Sequence, residues 1–405
     1  MKVRYLLTKF PVLSETFITN EVLDHLAAGL DVEVISTDRR PEGEWEQALL
    51  RGPLQGRVRY LGIGSNDSSR VKATGAAWAA LCLYRRPKFV VQSLSTGDAR
   101  ALRVANRLSD GRFEADIIHA HFGHMGVLAG DLLAHNLLSG RLITTVHGFD
   151  ISKGALGSSH AYMRDLCDKS RLVLTVNNVW KARMMAAGCQ ADRIRTHHLG
   201  VDVDVLSPPS QQAKSPEFVF CSIGRFVEKK GHLYSIRALH QLRSKTNTRA
   251  RLVIIGDGPL YAEAQALVTQ LGLDDSVSLM GALVNQEALK FARAADAFLL
   301  PSVTAADGNM EGIPISLMEA MALEKPVIST VHSGIPELID SGVDGLLVPE
   351  RDVAALADAM IRVANDSALA RRLGKAGREK VQTSFNARSQ GAALRQLYEE
   401  VAAGA

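Results

Sequence analysis

The sequence predicts an α/β protein built from two successive doubly wound parallel-sheet domains. Short β-branched runs alternate with helical stretches almost throughout the 405 residues. The runs are continuously apolar rather than alternating, as strands covered on both faces require. The pattern also breaks once, at "LSPPSQQAKSPE" (206–217), a stretch rich in Pro, Ser and Gln without apolar periodicity, and then restarts. A linker between two domains explains that break.

In the first half, "VRYLL" (3–7), "VEVIS" (32–36), "DIIHA" (116–120), "LITTV" (142–146) and "LVLTV" (172–176) read as buried parallel strands. "SETFITNEVLDHLAAG" (14–29) reads as the first helix, with Ser14 as N-cap and Gly29 as its stop. In the second half the strands are "FVFCSI" (218–223), "RLVIIG" (251–256), "VSLM" (277–280), "AFLLP" (297–301), "PVIST" (326–330) and "GLLVP" (345–349). Helices such as 232–244 and 261–272 lie between them. The expected organisation is residues 1–205, the linker 206–217, residues 218–384, and a final helix from 385 that packs back across the domains.

Composition narrows the function classes. Hydrophobic residues at 46% and charged residues at 22% are an ordinary globular balance that fills sizeable cores. A net charge of +4, without dense basic runs interleaved with aromatics, argues against nucleic acid as a partner. No apolar run reaches the roughly 18 residues of a membrane span, and "MKVRYLL" moves straight into a strand without a signal-peptide core. Cys82, Cys167, Cys189 and Cys221 lie far apart without CxxC spacing, which suggests neither a zinc site nor a disulfide framework. A cytoplasmic protein is expected. The segment 70–112 is strongly basic, with Trp78 and Tyr84 nearby, and reads first as a solvated helix face and second as a surface for anionic lipid at the inner face of the membrane.

Ligands of open α/β sheets bind beyond the carboxyl ends of the strands, so the residues following each strand matter most. After 218–223 comes "GRFVEKKG" (224–231), which sets Arg225 and Lys230 at a strand exit and helix start, a natural diphosphate clamp. After 251–256 comes "GDGP", a glycine turn. After 297–301 comes "GNMEGIPISLMEAMALEKPVI" (308–328), with Glu311 in a loop, Pro314 fitting the first helical turn, and Glu319 within a strongly helical run. An ideal helix separates the two carboxylates by ~10 Å. That exceeds the ~5–5.5 Å of retaining hydrolases but touches the inverting range of ~6.5–9.5 Å, so spacing alone leaves a hydrolase open.

Histidines cluster after two strands. "HAHFGH" places His119, His121 and His124 in an H-x-H-x-x-H pattern, but Gly123 stands where the zinc hydrolase motif needs an acid. "TVHGFD" (145–150) ends a strand with His147 and Asp150.

These motifs resemble, in order and over essentially the whole chain, the retaining GT-B glycosyltransferases of family 4. "EGIPISLMEAMALEKPVIST…GIPELIDSGVDGLLVP" (311–349) is similar to their donor-binding segment, whose E-x7-E signature falls on Glu311 and Glu319. "GRFVEKKG", "IIGDGPL" and "HLGVDVDVLSP" (198–208) match further stations, the last placing Asp202 and Asp204 at the interdomain hinge rather than in a metal site.

The resemblance implies that Glu319 holds the ribose of a UDP- or GDP-sugar and Glu311 the donor sugar. Arg225, Lys230 and the backbone of Gly312 and Ile313 would hold the diphosphate, with no metal and no other cofactor. His147 would stand near the reacting centre. The donor would bind mainly to the second domain. On the acceptor side, "TKFPVLSETF" (8–17) replaces the family's usual Gly-Gly loop and resembles the colanic-acid type of exopolysaccharide enzyme. Ser14 and Glu15 would then meet donor or acceptor, His119 and His121 would have roles in cleft shape or acceptor contact, and Asp150 would contact an acceptor hydroxyl. The expected acceptor is a lipid-linked oligosaccharide. The competing readings are a small-molecule acceptor, a nucleotide-sugar epimerase, a metallo-hydrolase and a sugar-nucleotide binder without turnover.

Overall fold

A computed structural model of the chain describes residues 1–12, 15–62, 113–152, 159–208 and 217–404, together with Val104. Ser14, most of the linker and, Val104 apart, the basic segment 70–112 lie outside the described residues.

Two parallel sheets form the frame. The first contains β1 (Lys2–Leu7), β2 (Asp31–Ser36), β3 (Val58–Tyr60), β4 (Glu114–His121), β5 (Ser139–Val146), β6 (Leu172–Thr175) and β7 (Ile194–Thr196), in the spatial order β3-β2-β1-β4-β5-β6-β7. The second contains β8 (Phe218–Ile223), β9 (Ala250–Ile255), β10 (Val277–Leu279), β11 (Ala297–Leu300), β12 (Val327–Thr330) and β13 (Leu346–Val348), in the order β10-β9-β8-β11-β12-β13. Each sheet reverses its strand order beside its first strand, between β1 and β4 and between β8 and β11. Those reversals open the crevices in which ligands of such sheets bind.

Continuous apolar runs serve both faces of each sheet, because side chains alternate along a strand. Along β11, Ala297 and Leu299 enter one core while Phe298 and Leu300 enter the other. In the first sheet Val3, Tyr5 and Leu7 pack on one side and Leu6 on the opposite one. Burying each large apolar side chain stabilises the fold by roughly 1.5–3 kcal/mol. Strands β3 and β7 were not expected; each is a three-residue edge strand whose short apolar run is interrupted by an arginine, Arg59 in β3 and Arg195 in β7.

The first helix runs Thr16–Ala27, with Glu15 rather than Ser14 at the N-cap position. The cysteine expectation also changes. Cys167 and Cys189 form a disulfide with their Cα atoms 5.9 Å apart, while Cys221 is free and buried. The two lie on elements flanking β6 that the fold brings face to face, and linear spacing does not report that.

The chain crosses between the sheets twice, side by side. Val201 N–H donates to Phe385 O (2.9 Å) and Ala387 N–H donates to Val201 O (3.0 Å). Asp202 accepts from the backbone N–H of Asp204, and Asp204 pairs with Arg388 at 2.9 Å, so both acids of the D-x-D triplet are engaged at this hinge. The last helix, Ala387–Ala403, returns to the first sheet and inserts Leu394, Tyr398 and Val401 into its core. No described helix is long and apolar enough to cross a membrane.

Candidate active site

The carboxyl ends of the two sheets face each other, and the loop 308–312 joins them. Met310 N–H donates to Ser152 Oγ of the first domain at 3.3 Å. Gly312 is required here for space. A Cβ at this position would lie 2.7 Å from Val176 Cγ2 and 3.0 Å from His147 O. A second bridge lies beside it, where Glu337 accepts from Asn178 N–H and Nδ2 (both 2.8 Å) and meets His198 at 2.9 Å.

Glu311 is buried at this junction with both lysines of "EKK". Its Oε2 is 3.2 Å from Lys230 Nζ and its Oε1 is 3.4 Å from Lys229 Nζ. Burial pushes the Glu311 carboxyl up, but Lys230 and then Lys229 outweigh it and hold it at about 2. Burial pulls the Lys230 ammonium down against Glu311, and Lys229 and Arg225 add to that pull. Arg225 itself is exposed on the same loop. Oε1 accepts no hydrogen bond among the described residues, although it is buried. A desolvated acceptor of that kind is expensive to leave unmatched, and a sugar hydroxyl would satisfy it.

The backbone of Glu311 is fixed from below. Its N–H donates to His332 Nε2 (3.0 Å), and Ser333 Oγ donates to its carbonyl (2.7 Å). Because His332 accepts at Nε2, its proton sits on Nδ1, which donates to Glu350 at 2.6 Å. Glu350 also accepts from Thr304 N–H at 2.8 Å.

Glu319 lies on the helix Ile315–Ala322, one turn inside it, with Pro314 just ahead at the N-cap position rather than in the first turn. Glu319 is buried, and its Oε1 accepts from Asn285 Nδ2 at 3.0 Å. Burial raises it to about 7, moderated by that amide alone. The two signature glutamates therefore sit in opposite environments, one between ammonium groups and one in an apolar shell. Gly312 and Ile313 precede the helix, and Ile313 anchors the loop in the second domain's core. The glycine turn after β9 serves the protein itself. A Cβ on Gly256 (φ +147°) would lie 2.0 Å from Gly224 O, so this glycine lets the turn pack against the loop that carries Arg225 and Lys230.

On the first domain, His147 leaves β5 half-buried between the rings of Phe17 and Phe122, both 4.8 Å from its own. Phe122 adopts φ +73° immediately after β4, a strained conformation for a residue with a side chain. Behind His147 stands a buried polar network. His147 Nε2 is 2.9 Å from His121 Nδ1, and His121 Nε2 is 3.2 Å from Glu21 Oε1. His119 is hydrogen-bonded to Tyr398 (2.6 Å) and Thr145 (2.7 Å).

His119 and His121 are both fully buried; His121 is hydrogen-bonded to His147, and His119 packs against His121. Asp150, expected to contact an acceptor hydroxyl, instead accepts the backbone N–H groups of His147 (3.0 Å), Gly148 (2.8 Å) and Gly123 (2.8 Å). It staples the β4 and β5 exit loops together. Burial raises the Glu15 carboxyl above its ordinary value. Glu21, His119 and His121 are the described residues whose ligand atoms could converge on a metal ion, within 4.8 Å of one another. His124 turns away from them to Thr8 at 2.9 Å.

Sequence reasoning missed Lys229, His332, Glu350, Asn285 and Glu21. Lys229 stood in the quoted motif and could have been found there. Glu21 carries no local signal beyond sharing a helix face with Phe17.

Two doubly wound domains facing a cleft, with acidic and basic residues gathered at the facing strand ends, define a GT-B architecture. A family model described as "Glycosyltransferase Family 4" matches residues 15–205 and one described as "Glycosyl transferases group 1" matches residues 206–380. The chain belongs to this family of glycosyltransferases and is an enzyme of that class. It is 34% identical to the amylovoran biosynthesis glycosyltransferase AmsK of Erwinia amylovora, covering 98% of each chain. It is 33% identical to an Escherichia coli (strain K12) protein named for colanic acid biosynthesis, WcaL, covering 95% of this chain and 96% of that one. The crystal structure of HepE from Anabaena in complex with UDP shares the fold with a TM-score of 0.72 at 16% identity, covering 99% of this chain and 100% of that one.

Proposed function

We propose that the protein is a retaining glycosyltransferase that moves a hexose from a nucleotide-diphosphate sugar to a lipid-linked oligosaccharide during exopolysaccharide assembly, without a metal. The observation that carries this reading is the Glu311 carboxylate held between Lys229 and Lys230. Two ammonium groups with Arg225 beside them supply the positive charge that a departing diphosphate needs. Glu311 accepts hydroxyls of the donor sugar, and Glu319 accepts the vicinal hydroxyls of ribose. The anomeric C–O bond to phosphate breaks as the acceptor oxygen bonds to the same face, and a phosphate oxygen takes the acceptor's proton. Domain closure through Gly312 and Met310 excludes water. The UDP in HepE supports a nucleotide donor, and the names of AmsK and WcaL support an exopolysaccharide acceptor.

The test is a panel of UDP- and GDP-sugars screened for binding and slow hydrolysis, with and without EDTA. Binding of one donor with turnover that persists in EDTA is expected. Loss of all turnover in EDTA, restored by Mn²⁺, would count against the metal-free mechanism. Sugar isomerisation without an acceptor would favour an epimerase.

A further inference from the structure

Three side chains from three elements form a line that ends at the cleft. Glu21 comes from the helix Thr16–Ala27, His121 from the end of β4, and His147 from the loop after β5. The two imidazoles stack with their planes 13° apart and centroids at 5.2 Å. Glu21 is also gripped by Tyr5 O–H at 2.8 Å and lies 3.3 Å from His119 Nδ1. His121 is fully buried, and Tyr5 stacks on its other side at 5.7 Å. His121 is thus enclosed, while His147 is half-buried and its Nδ1 has no hydrogen-bond partner among the described residues.

The donors and acceptors along this line are ordered. Glu21 accepts, so His121 carries its proton on Nε2 and offers a lone pair at Nδ1. His147 then donates from Nε2 and keeps a bare Nδ1. We propose that Glu21 and His121 are positioning residues that fix His147 in this tautomer, presenting Nδ1 as a hydrogen-bond acceptor for a sugar hydroxyl in the cleft. A carboxylate orienting an imidazole follows the logic of hydrolase triads, with a second imidazole inserted between them. The inference rests on the glycosyltransferase reading only for the nature of the hydroxyl; the tautomer is a property of the protein alone.

Nitrogen-15 NMR of histidine-labelled protein reads that tautomer directly and needs no substrate. A protonated Nε2 and bare Nδ1 at His147 are expected in the unsubstituted protein. His121→Phe removes the acceptor and is expected to mix the two tautomers. In parallel, UDP-glucose and GDP-mannose hydrolysis is measured in the protein and in His121→Phe and Glu21→Gln. A fall in kcat on the order of 10² with little change in KM is expected when the contact that positions the sugar is misaligned. A proton on Nδ1 of His147 in the unsubstituted protein overturns the proposal, and so does an unchanged tautomer or unchanged kcat in His121→Phe. One equivalent of bound metal that disappears in Glu21→Gln overturns it too, since an ion and not hydrogen bonds would then organise the cluster. Failure of every donor to bind the unsubstituted protein would sink the functional reading while leaving the tautomer measurement standing.

Discussion

The Glu311 carboxylate lies 3.2 Å from the Lys230 ammonium, so the groups assigned to opposite ends of the donor's reacting bond neutralise each other. A diphosphate arriving at Lys230 and Lys229 would replace one anionic partner with another and free Glu311 for the sugar. Donor binding on this arrangement is an exchange of ion pairs. That exchange keeps buried cations from ever standing alone.

Glu311→Gln should therefore act twice. Transfer should be lost, measured as product formed from the preferred donor. Stability should fall by about 3 kcal/mol, the low end for a broken buried pair, since both lysines keep some exposure. Addition of UDP should raise the melting temperature of the variant more than that of the parent. The carboxyl is held at about 2, below its ordinary value, so its stabilisation is full above about pH 4.5 and is lost only as pH falls through about 2. No part of this effect should appear between pH 5 and 8.

Lys229→Ala should weaken nucleotide diphosphate binding as strongly as Lys230→Ala. Each removes one charge-assisted contact worth roughly 1.5–3 kcal/mol, or a ten- to hundredfold rise in Kd. Titration calorimetry with UDP and GDP measures both. An unaffected Lys229→Ala would assign that residue to folding alone.

Glu319 makes affinity depend on pH. Its folded-state value of about 7 lies above the ordinary one, so the native protein holds a proton that the unfolded chain has released. Stability without nucleotide should then decline as pH rises from about 4.5 through 7. Ribose hydroxyls donate to the ionised form, so nucleotide affinity should rise over the upper part of that window. Glu319→Gln should bind more weakly and lose the pH dependence; a parent protein with pH-independent Kd would contradict the ribose role.

Gly312→Ala separates binding from closure. Its Cβ would meet Val176 and His147 O of the other domain, while Lys230 and Glu319 lie on one domain and stay in place. Alanine keeps the backbone N–H expected at the diphosphate, so nucleotide Kd should change less than kcat, which should fall on the order of 10², as expected when reacting groups are displaced by about 1 Å. Parallel calorimetry and rate measurements decide it.

The residues gathered around Glu311 were legible in the sequence because they belong to local motifs. Arg225 and Lys230 follow one strand, Glu311 and Glu319 share one loop and helix, and apolar runs announce most of the strands. Edge strands β3 and β7 escaped because an arginine interrupts each three-residue run, whereas the equally short β10 and β13 carry no charged residue. The disulfide between Cys167 and Cys189 escaped because only the fold brings its two elements together.

By itself, then, the sequence determined the two-domain α/β class, the order of the motifs and the chemistry offered at each strand end. Tertiary structure decided which of those groups meet. It set Glu311 at about 2 and Glu319 at about 7 by placing one among ammonium groups and the other among apolar side chains. It turned Asp150 from a ligand candidate into a staple, and it recruited Glu21 and Tyr398 from distant positions to stand behind His147. Charge interaction and desolvation depend on distances of a few ångströms, and residues hundreds of positions apart reach those distances only when the chain is folded.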